Sequence, residues 1–183
     1  MEFQLLDHVE EVREAFIERF VMSWDEFQIK QKAWIAQMAS NNYTIDKKWY
    51  DRALMWDRMN PAFSCVSMTE ALNFLREHSG PVFFMGEKGQ QSWCRGKPLL
   101  ADCVAIADAS ALAARIEQEW YDSYRLAEQN MYQVDAILPE DVYVFDSSMK
   151  WCVVFTHETT DWESESVDLM KAAESRVCII CKD

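Results

Sequence analysis

The residue types best suited to chemistry lie in the stretch VYVFDSSMKWCVVFTHETTDWE, residues 142–163. An imidazole, His157, stands beside a carboxylate, Glu158, where an apolar run stops. Cys152 precedes them, and a thiol activated by a base that a third group orients is the pattern of nucleophilic catalysis. However, five residues of extended strand span about 17 Å. Cys152 and His157 therefore cannot meet in a straight strand, and we predict no such triad.

His157 has two further interpretations. As a structural residue it donates a hydrogen bond to a backbone carbonyl at a strand end. As a functional residue it adjoins a binding rim, because an aromatic ring among carboxylates suits a surface rich in Lys and Arg. The residues of this rim are Glu158, Asp161, Trp162, Glu163, Glu165 and Trp93. The enzymatic alternative is a small hydrolase with a site near the polar loop at 87–98 that uses His157, Glu158 and Arg95.

Metal and cofactor sites lack a positive signal in the sequence. Cys178 and Cys181 form a CxxC inside an apolar strand pattern, where residues three apart point to opposite faces of a sheet, so a shared metal or a disulfide between them is not expected. The three histidines and the remaining cysteines match no zinc spacing. The segment GEKGQQSW, residues 86–93, has neither phosphate-loop pattern. We expect no metal and no cofactor.

Helical signals dominate the first eighty residues. Capping boxes, in which a Ser and the Glu three residues later satisfy each other's backbone N–H, predict helix starts at Ser23 and Ser67. A helix between these two is predicted from Thr44 or Asp46 to Asn60, where Pro61 stops it. The first predicted helix has an apolar stripe at helical spacing: Leu5, Val9, Val12, Phe16 and Phe20.

The pattern changes to strands after Gly80-Pro81. Short apolar runs rich in Val, Phe, Tyr and Ile predict the strands, and a long helix capped by Asp108 or Ser110 lies among them. A weak helical segment, VDLMKAAE, precedes the last run. The predicted strands are PVFFMG, DCVAIAD, VYVFD, WCVVFT and RVCIIC, with the third and fourth joined as a hairpin.

These elements predict one α+β domain over residues 1–183. It has a helical part at about 1–80 and a sheet-containing part at about 81–183. The sheet is expected to be antiparallel or mixed, with four or five strands and the long helix packed on it. The length of 183 residues and the 50% of apolar residues suit one substantial core.

Composition and charge restrict the partners. The formal net charge is −13, and residues 134–183 hold eleven acidic residues against four basic ones, which argues against nucleic acid and favours a basic protein partner. The sequence has neither a signal peptide nor a long apolar run, so we expect no membrane span. Six cysteines, mostly inside apolar runs, are typical of reduced thiols in a cytoplasmic protein.

The hairpin sequence VYVFDSSMKWCVVFTHE, at 142–158, resembles small uncharacterised bacterial proteins, some of which are similar to immunity proteins that neutralise toxins. The resemblance covers about seventeen residues and carries no catalytic residue. It implies a non-enzymatic role. Together with the acidic composition, it favours a binding protein that inhibits a basic bacterial toxin.

Overall fold

The computed structural model describes residues 1–40, 54–59, 63–87, 98–100, 102–128, 136–159 and 176–182. The helices described are α1 (Val9–Phe20), α2 (Trp24–Ser40), α3 (Met68–Glu77) and α4 (Ala109–Glu128), and a 3-10 turn lies at Trp56–Arg58. The strands are β1 (Gln4–Leu5), β2 (Phe63–Val66), β3 (Pro81–Gly86), β4 (Val104–Asp108), β5 (Val142–Phe145), β6 (Trp151–Thr159) and β7 (Arg176–Lys182).

The strands form one seven-stranded sheet in the order β1-β4-β3-β5-β6-β7-β2, and every neighbouring pair is antiparallel. The fold is therefore α+β, as the sequence predicts. The predicted number of strands, four or five, is too low. Both additional strands lie within the first eighty residues, which the sequence patterns predict to be the helical part.

Short length explains both errors. β1 contains only two residues, and Leu5, placed by its spacing on a helix stripe, instead lies in this strand with 51% of its surface exposed. The helix α1 begins four residues later, at Val9. β2 has four residues, three of them exposed, so it lacks the alternation that marks a half-buried strand. Pairing with β7 gives β2 its extended conformation.

Helices cover both faces of the sheet. On one face, α3 and α4 pack with side chains of the central strands, including Phe84, Val144 and Phe155. On the other face, Phe16 and Phe20 of α1 and Met55 and Met59 pack against the alternate side chains of the same strands. Because successive side chains of a strand point to opposite faces, the same strands contribute to two cores, one on each side of the sheet.

The helix starts predicted from capping residues are confirmed at α2, α3 and α4. Ser67 and Glu70 form a capping box at α3, Ser23 and Glu26 make the same bonds at α2, and Asp108 Oδ1 accepts a hydrogen bond of 3.0 Å from the backbone N–H of Ala111 at α4. Gly80, between α3 and β3, has φ +95°, which suits glycine.

Two predicted helices, at 44–60 and 167–174, fall largely or wholly outside the described residues. In the part that the structure describes, no helix is long and apolar enough to cross a membrane.

Candidate functional site

His157 and Asp141 form a close pair at one end of the sheet. Asp141 directly precedes β5, and its side chain is completely buried, whereas one third of the His157 side chain is exposed. His157 Nδ1 lies 3.0 Å from Asp141 Oδ1 and 3.1 Å from Oδ2. Because an ionised carboxylate only accepts hydrogen bonds, Nδ1 carries the proton in this pair. The partner described for Nδ1 is therefore a buried carboxylate, whereas the structural interpretation predicts a backbone carbonyl.

The carboxylate of Asp141 is held by two more donors. The backbone N–H of His157 donates to Oδ1 over 2.7 Å, and the indole Nε1 of Trp56 donates to Oδ2 over 3.3 Å. The Trp56 ring also meets the His157 ring nearly edge to face, with centroids 5.9 Å apart. Asp141 and Trp56 together fix the position and the orientation of the imidazole.

A second buried carboxylate adjoins this pair. Glu87, directly after β3, accepts hydrogen bonds from the Tyr143 hydroxyl at 2.6 Å and from the backbone N–H of Met55 at 3.0 Å. Burial raises the pKa of Glu87 above its usual value, although these hydrogen bonds oppose the change. Burial also raises the pKa of Tyr143 well above its usual value, and the neighbouring Glu87 adds to this.

Trp56 connects the two carboxylates. Its backbone N–H donates to the Tyr143 hydroxyl over 3.1 Å, while its indole N–H donates to Asp141. We call Trp56, Glu87, Asp141, Tyr143 and His157 the carboxylate–histidine cluster. A substitution of the Trp56 side chain would remove the indole bond to Asp141 and keep the backbone bond to Tyr143.

Arg176 positions the chain segments that carry the pair. It is 97% buried at the start of β7, and its guanidinium donates to the backbone carbonyls of Thr156 and Glu140. These two residues immediately precede His157 and Asp141. A buried guanidinium therefore fixes the backbone directly before His157 and directly before Asp141. Its bonds to carbonyl oxygens offset part of the cost of burying the charge.

The chemistry available to this arrangement is proton acceptance. An imidazole that donates from Nδ1 to a carboxylate keeps its lone pair on Nε2, and this is how an orienting carboxylate prepares a general base. The hydroxyl of the neighbouring residue, Thr156, donates a hydrogen bond to the Val177 carbonyl at 2.6 Å. Cys152, the thiol of the rejected triad, is buried opposite Cys181 on β7.

The residues proposed from the sequence are described only in part. The imidazole of His157 is described, and the backbone of Glu158 continues β6. The other residues of the rim and of the hydrolase alternative lie outside the described residues: Trp93, Arg95, Asp161, Trp162, Glu163 and Glu165.

Sequence reasoning missed four members of the cluster: Trp56, Glu87, Asp141 and Tyr143. One signal pointed to Asp141, an acidic residue directly before a strand in a predicted hairpin. Pairing of Val142 with Phe155 brings the residue before β5 beside the residues after Phe155. That register depends on the turn between the strands, and the sequence patterns alone do not define it.

Acidic side chains also line the outer face of α1. Glu10, Glu11, Glu14 and Glu18 are exposed. Of the two arginines of this helix, Arg13 is buried and donates to the Gly86 carbonyl at 2.8 Å, whereas Arg19 is exposed and donates to the Met149 carbonyl at 3.1 Å. The helix therefore presents a mainly negative surface.

The described part of the chain contains no metal-binding cluster and has a depression on its surface. No group of three His, Cys, Asp or Glu side chains there could hold a metal ion. A depression of about 350 Å³ lies between α2 and the 3-10 turn, and His157 does not line it. Its lining includes Met22, Phe27, Lys30, Asp57, Met59 and Phe63.

The fold and the cluster define the protein as an antiparallel α+β protein with helices on both faces of the sheet and a buried carboxylate–histidine pair at its end. No family model, curated protein or solved structure matches the chain.

Proposed function

We propose that this protein is a non-enzymatic acidic binding protein, and more specifically an immunity-type inhibitor of a basic bacterial toxin. The observation that carries the proposal is the excess of negative charge, −13 over 183 residues. The four exposed carboxylates of α1 are a described part of that charge, and they outnumber the one exposed arginine of the helix, Arg19. Such a surface attracts a cationic partner and accelerates its association.

The binding rim comprises Glu158, Asp161, Trp162, Glu163 and Glu165, with Trp93. Its chemistry suits Lys and Arg side chains, because carboxylates pair with the cation and an indole face stacks on it. Support comes from the strand before the rim. β6 is hydrogen bonded on both sides, to β5 and β7, and His157 is held by Asp141. A strand so constrained provides a rigid base, which lowers the entropic cost of binding.

The first experiment identifies the partner. The tagged protein is used to capture proteins from a lysate of its source organism at low and at moderate salt, and bound proteins are identified by mass spectrometry. We expect one basic protein that is released as the salt concentration rises, since salt screens attraction between charged surfaces. Capture of no basic protein at either salt concentration would contradict the proposal.

Glu163→Lys then tests the rim itself. We expect association with the captured partner to slow several-fold while the free energy of unfolding changes by less than about 0.5 kcal/mol. The control is Glu77→Lys, an exposed site at the end of α3 that changes the net charge equally. Stopped-flow fluorescence or surface plasmon resonance measures the rates. Equal association rates for the two variants would exclude a local role of Glu163.

A second candidate function, a small hydrolase using His157, Glu158 and Arg95, is favoured by one observation. The buried carboxylate of Asp141 orients the imidazole as it would orient a general base. The test is hydrolysis of chromogenic carboxylic esters, phosphate esters and peptides by the purified protein. No turnover above that of His157→Gln would exclude this function.

Asp141→Asn tests the same candidate more sharply. An amide presents an N–H to Nδ1 and so favours the wrong tautomer, and in a working site activity should fall by roughly a thousandfold or more. Asp7→Asn, an exposed substitution of the same type, is the control and should keep full activity. Near-ultraviolet circular dichroism establishes that both variants are folded.

A further inference from the structure

Two cysteines of the sheet face each other directly across neighbouring strands. Cys152 of β6 and Cys181 of β7 are partners in the strand register. Directly opposed residues of an antiparallel pair have Cα atoms roughly 4.5 to 5.5 Å apart, and disulfides join Cα atoms roughly 4.4 to 6.8 Å apart. Both side chains lie in the core on the α1 side of the sheet. The strand geometry therefore already has the spacing of a disulfide, although both thiols are free.

The other described cysteines lack this arrangement. Cys178 lies opposite Phe155 and Val66, and its side chain packs in the core on the α3 and α4 side. Cys65 lies opposite Ile179, and Cys103 is outside the strands. Among the five cysteines that the structure describes, Cys152 and Cys181 are the directly opposed pair.

The two thiols differ in acidity. A hydrogen bond from the Cys152 thiol lowers the pKa of Cys181. Burial raises the pKa of Cys152 far above the usual value for a thiol. The thiolate is the reactive form of cysteine, so Cys181 is the nucleophile of the pair and Cys152 is the resolving thiol.

We propose that Cys152 and Cys181 are a redox modification site that closes to a cross-strand disulfide on reaction with a small disulfide such as glutathione disulfide. The thiolate of Cys181 attacks one sulfur of glutathione disulfide, forms a mixed disulfide and releases one glutathione thiolate, which takes up a proton. Cys152 then loses its proton and attacks the Cys181 sulfur, which releases the second glutathione. The two protein thiols are oxidised by two electrons, and one glutathione disulfide is reduced to two glutathione molecules.

The oxidant gains access at the end of the strand ladder. Cys181 is 5% exposed and precedes Lys182, the exposed last residue of β7, while its other strand partner, Phe63, is 37% exposed. Ends of strands open locally at little cost compared with global unfolding. Opening the last pairs of β7 would expose the Cys181 sulfur while the central strands stay paired.

The test is disulfide mapping after oxidation of the folded protein. The full chain is incubated with glutathione disulfide in native buffer, quenched with acid, alkylated and digested with trypsin. We expect a linked pair of peptides, residues 151–171 with 177–182, that has lost two hydrogens and is separated by dithiothreitol. Because residues 177–182 contain both Cys178 and Cys181, the reaction is repeated with Cys178→Ala, and fragmentation of the linked wild-type peptide assigns the same bond independently.

Matched variants and an unfolded control make the result decisive. Cys181→Ala and Cys152→Ala should abolish the linkage, whereas Cys65→Ala should retain it. In urea the cysteines should pair without this preference. The proposal is overturned if the folded protein yields only glutathione adducts, if Cys178 replaces Cys181 in the bond, or if the folded and unfolded products are the same.

Discussion

Glu87 is an ionisable side chain whose surroundings favour its protonated form. Burial raises its pKa above that of a free glutamate, so the folded state binds the proton more tightly than the unfolded state does. The stability that this preference contributes is fully present below the unfolded pKa and is lost as the pH rises through the folded pKa. Glu87 therefore makes the free energy of unfolding decrease with rising pH in that window.

Glu87→Gln should remove this dependence. Glutamine keeps an oxygen that can accept from Tyr143 and Met55 but carries no titrating proton. We expect the free energy of unfolding of the variant, minus that of the wild type, to increase from about pH 4 to about pH 8. Urea denaturation across this range measures it, with the exposed Glu77→Gln as control. A constant difference would show that the Glu87 carboxyl has the same pKa in both states.

The partners of His157 are distant from it in the sequence, which explains why the sequence predicts the imidazole but not its surroundings. His157 was found from the sequence because imidazole is rare in this chain and stands at the end of an apolar run. Its partners Asp141 and Trp56 come from residues 16 and about 100 positions earlier, brought together by strand register and by packing on the sheet. Neither relation leaves a local pattern in the sequence.

The elements predicted best are those with a local chemical signal. The capping boxes at α2 and α3 and the hairpin of β5 and β6 follow from residues within a few positions of one another. β1 and β2 were missed because two- and four-residue strands show no periodicity, and they exist through pairing with β4 and β7. The number of strands was therefore underestimated while the fold class was correct.

The capping boxes of α2 and α3 make the same hydrogen bonds, but we expect them to contribute unequally to the free energy of unfolding. α3 buries Met68, Ala71, Leu72 and Leu75, whereas Phe27 is the one buried residue among the side chains described in α2. We expect Ser67→Ala to lower the global free energy of unfolding by about 1 kcal/mol, a typical value for a lost cap.

Ser23→Ala should mainly increase fraying of α2, since that helix has few described contacts to lose. Urea denaturation together with amide hydrogen exchange of both helices separates the two effects. Equal losses of global stability for the two variants would show that α2 is as firmly attached to the core as α3. The exposed Ser147→Ala serves as the control.

At the scale of the whole molecule, the net charge of −13 affects the stability of the folded state. Such an excess favours solubility but destabilises the compact state through self-repulsion. We expect the urea midpoint of unfolding to rise when sodium chloride increases from about 0.01 M to about 0.15 M, because the Debye length falls from about 30 Å to about 8 Å. A midpoint that is unchanged or falls would mean that local attractions outweigh the repulsion.

The order of the strands has a consequence for synthesis of the chain. β2 pairs with β7 within the described sheet, and more than a hundred residues separate the two strands in sequence. The ribosome therefore completes the β2 segment long before its strand partner exists, and this segment stays unpaired until the residues of β7 emerge. High contact order of this kind slows folding and prolongs the lifetime of aggregation-prone folding intermediates. The protein should consequently depend on chaperones that shield nascent chains, and its yield in a cell-free translation system should rise when such a chaperone is added.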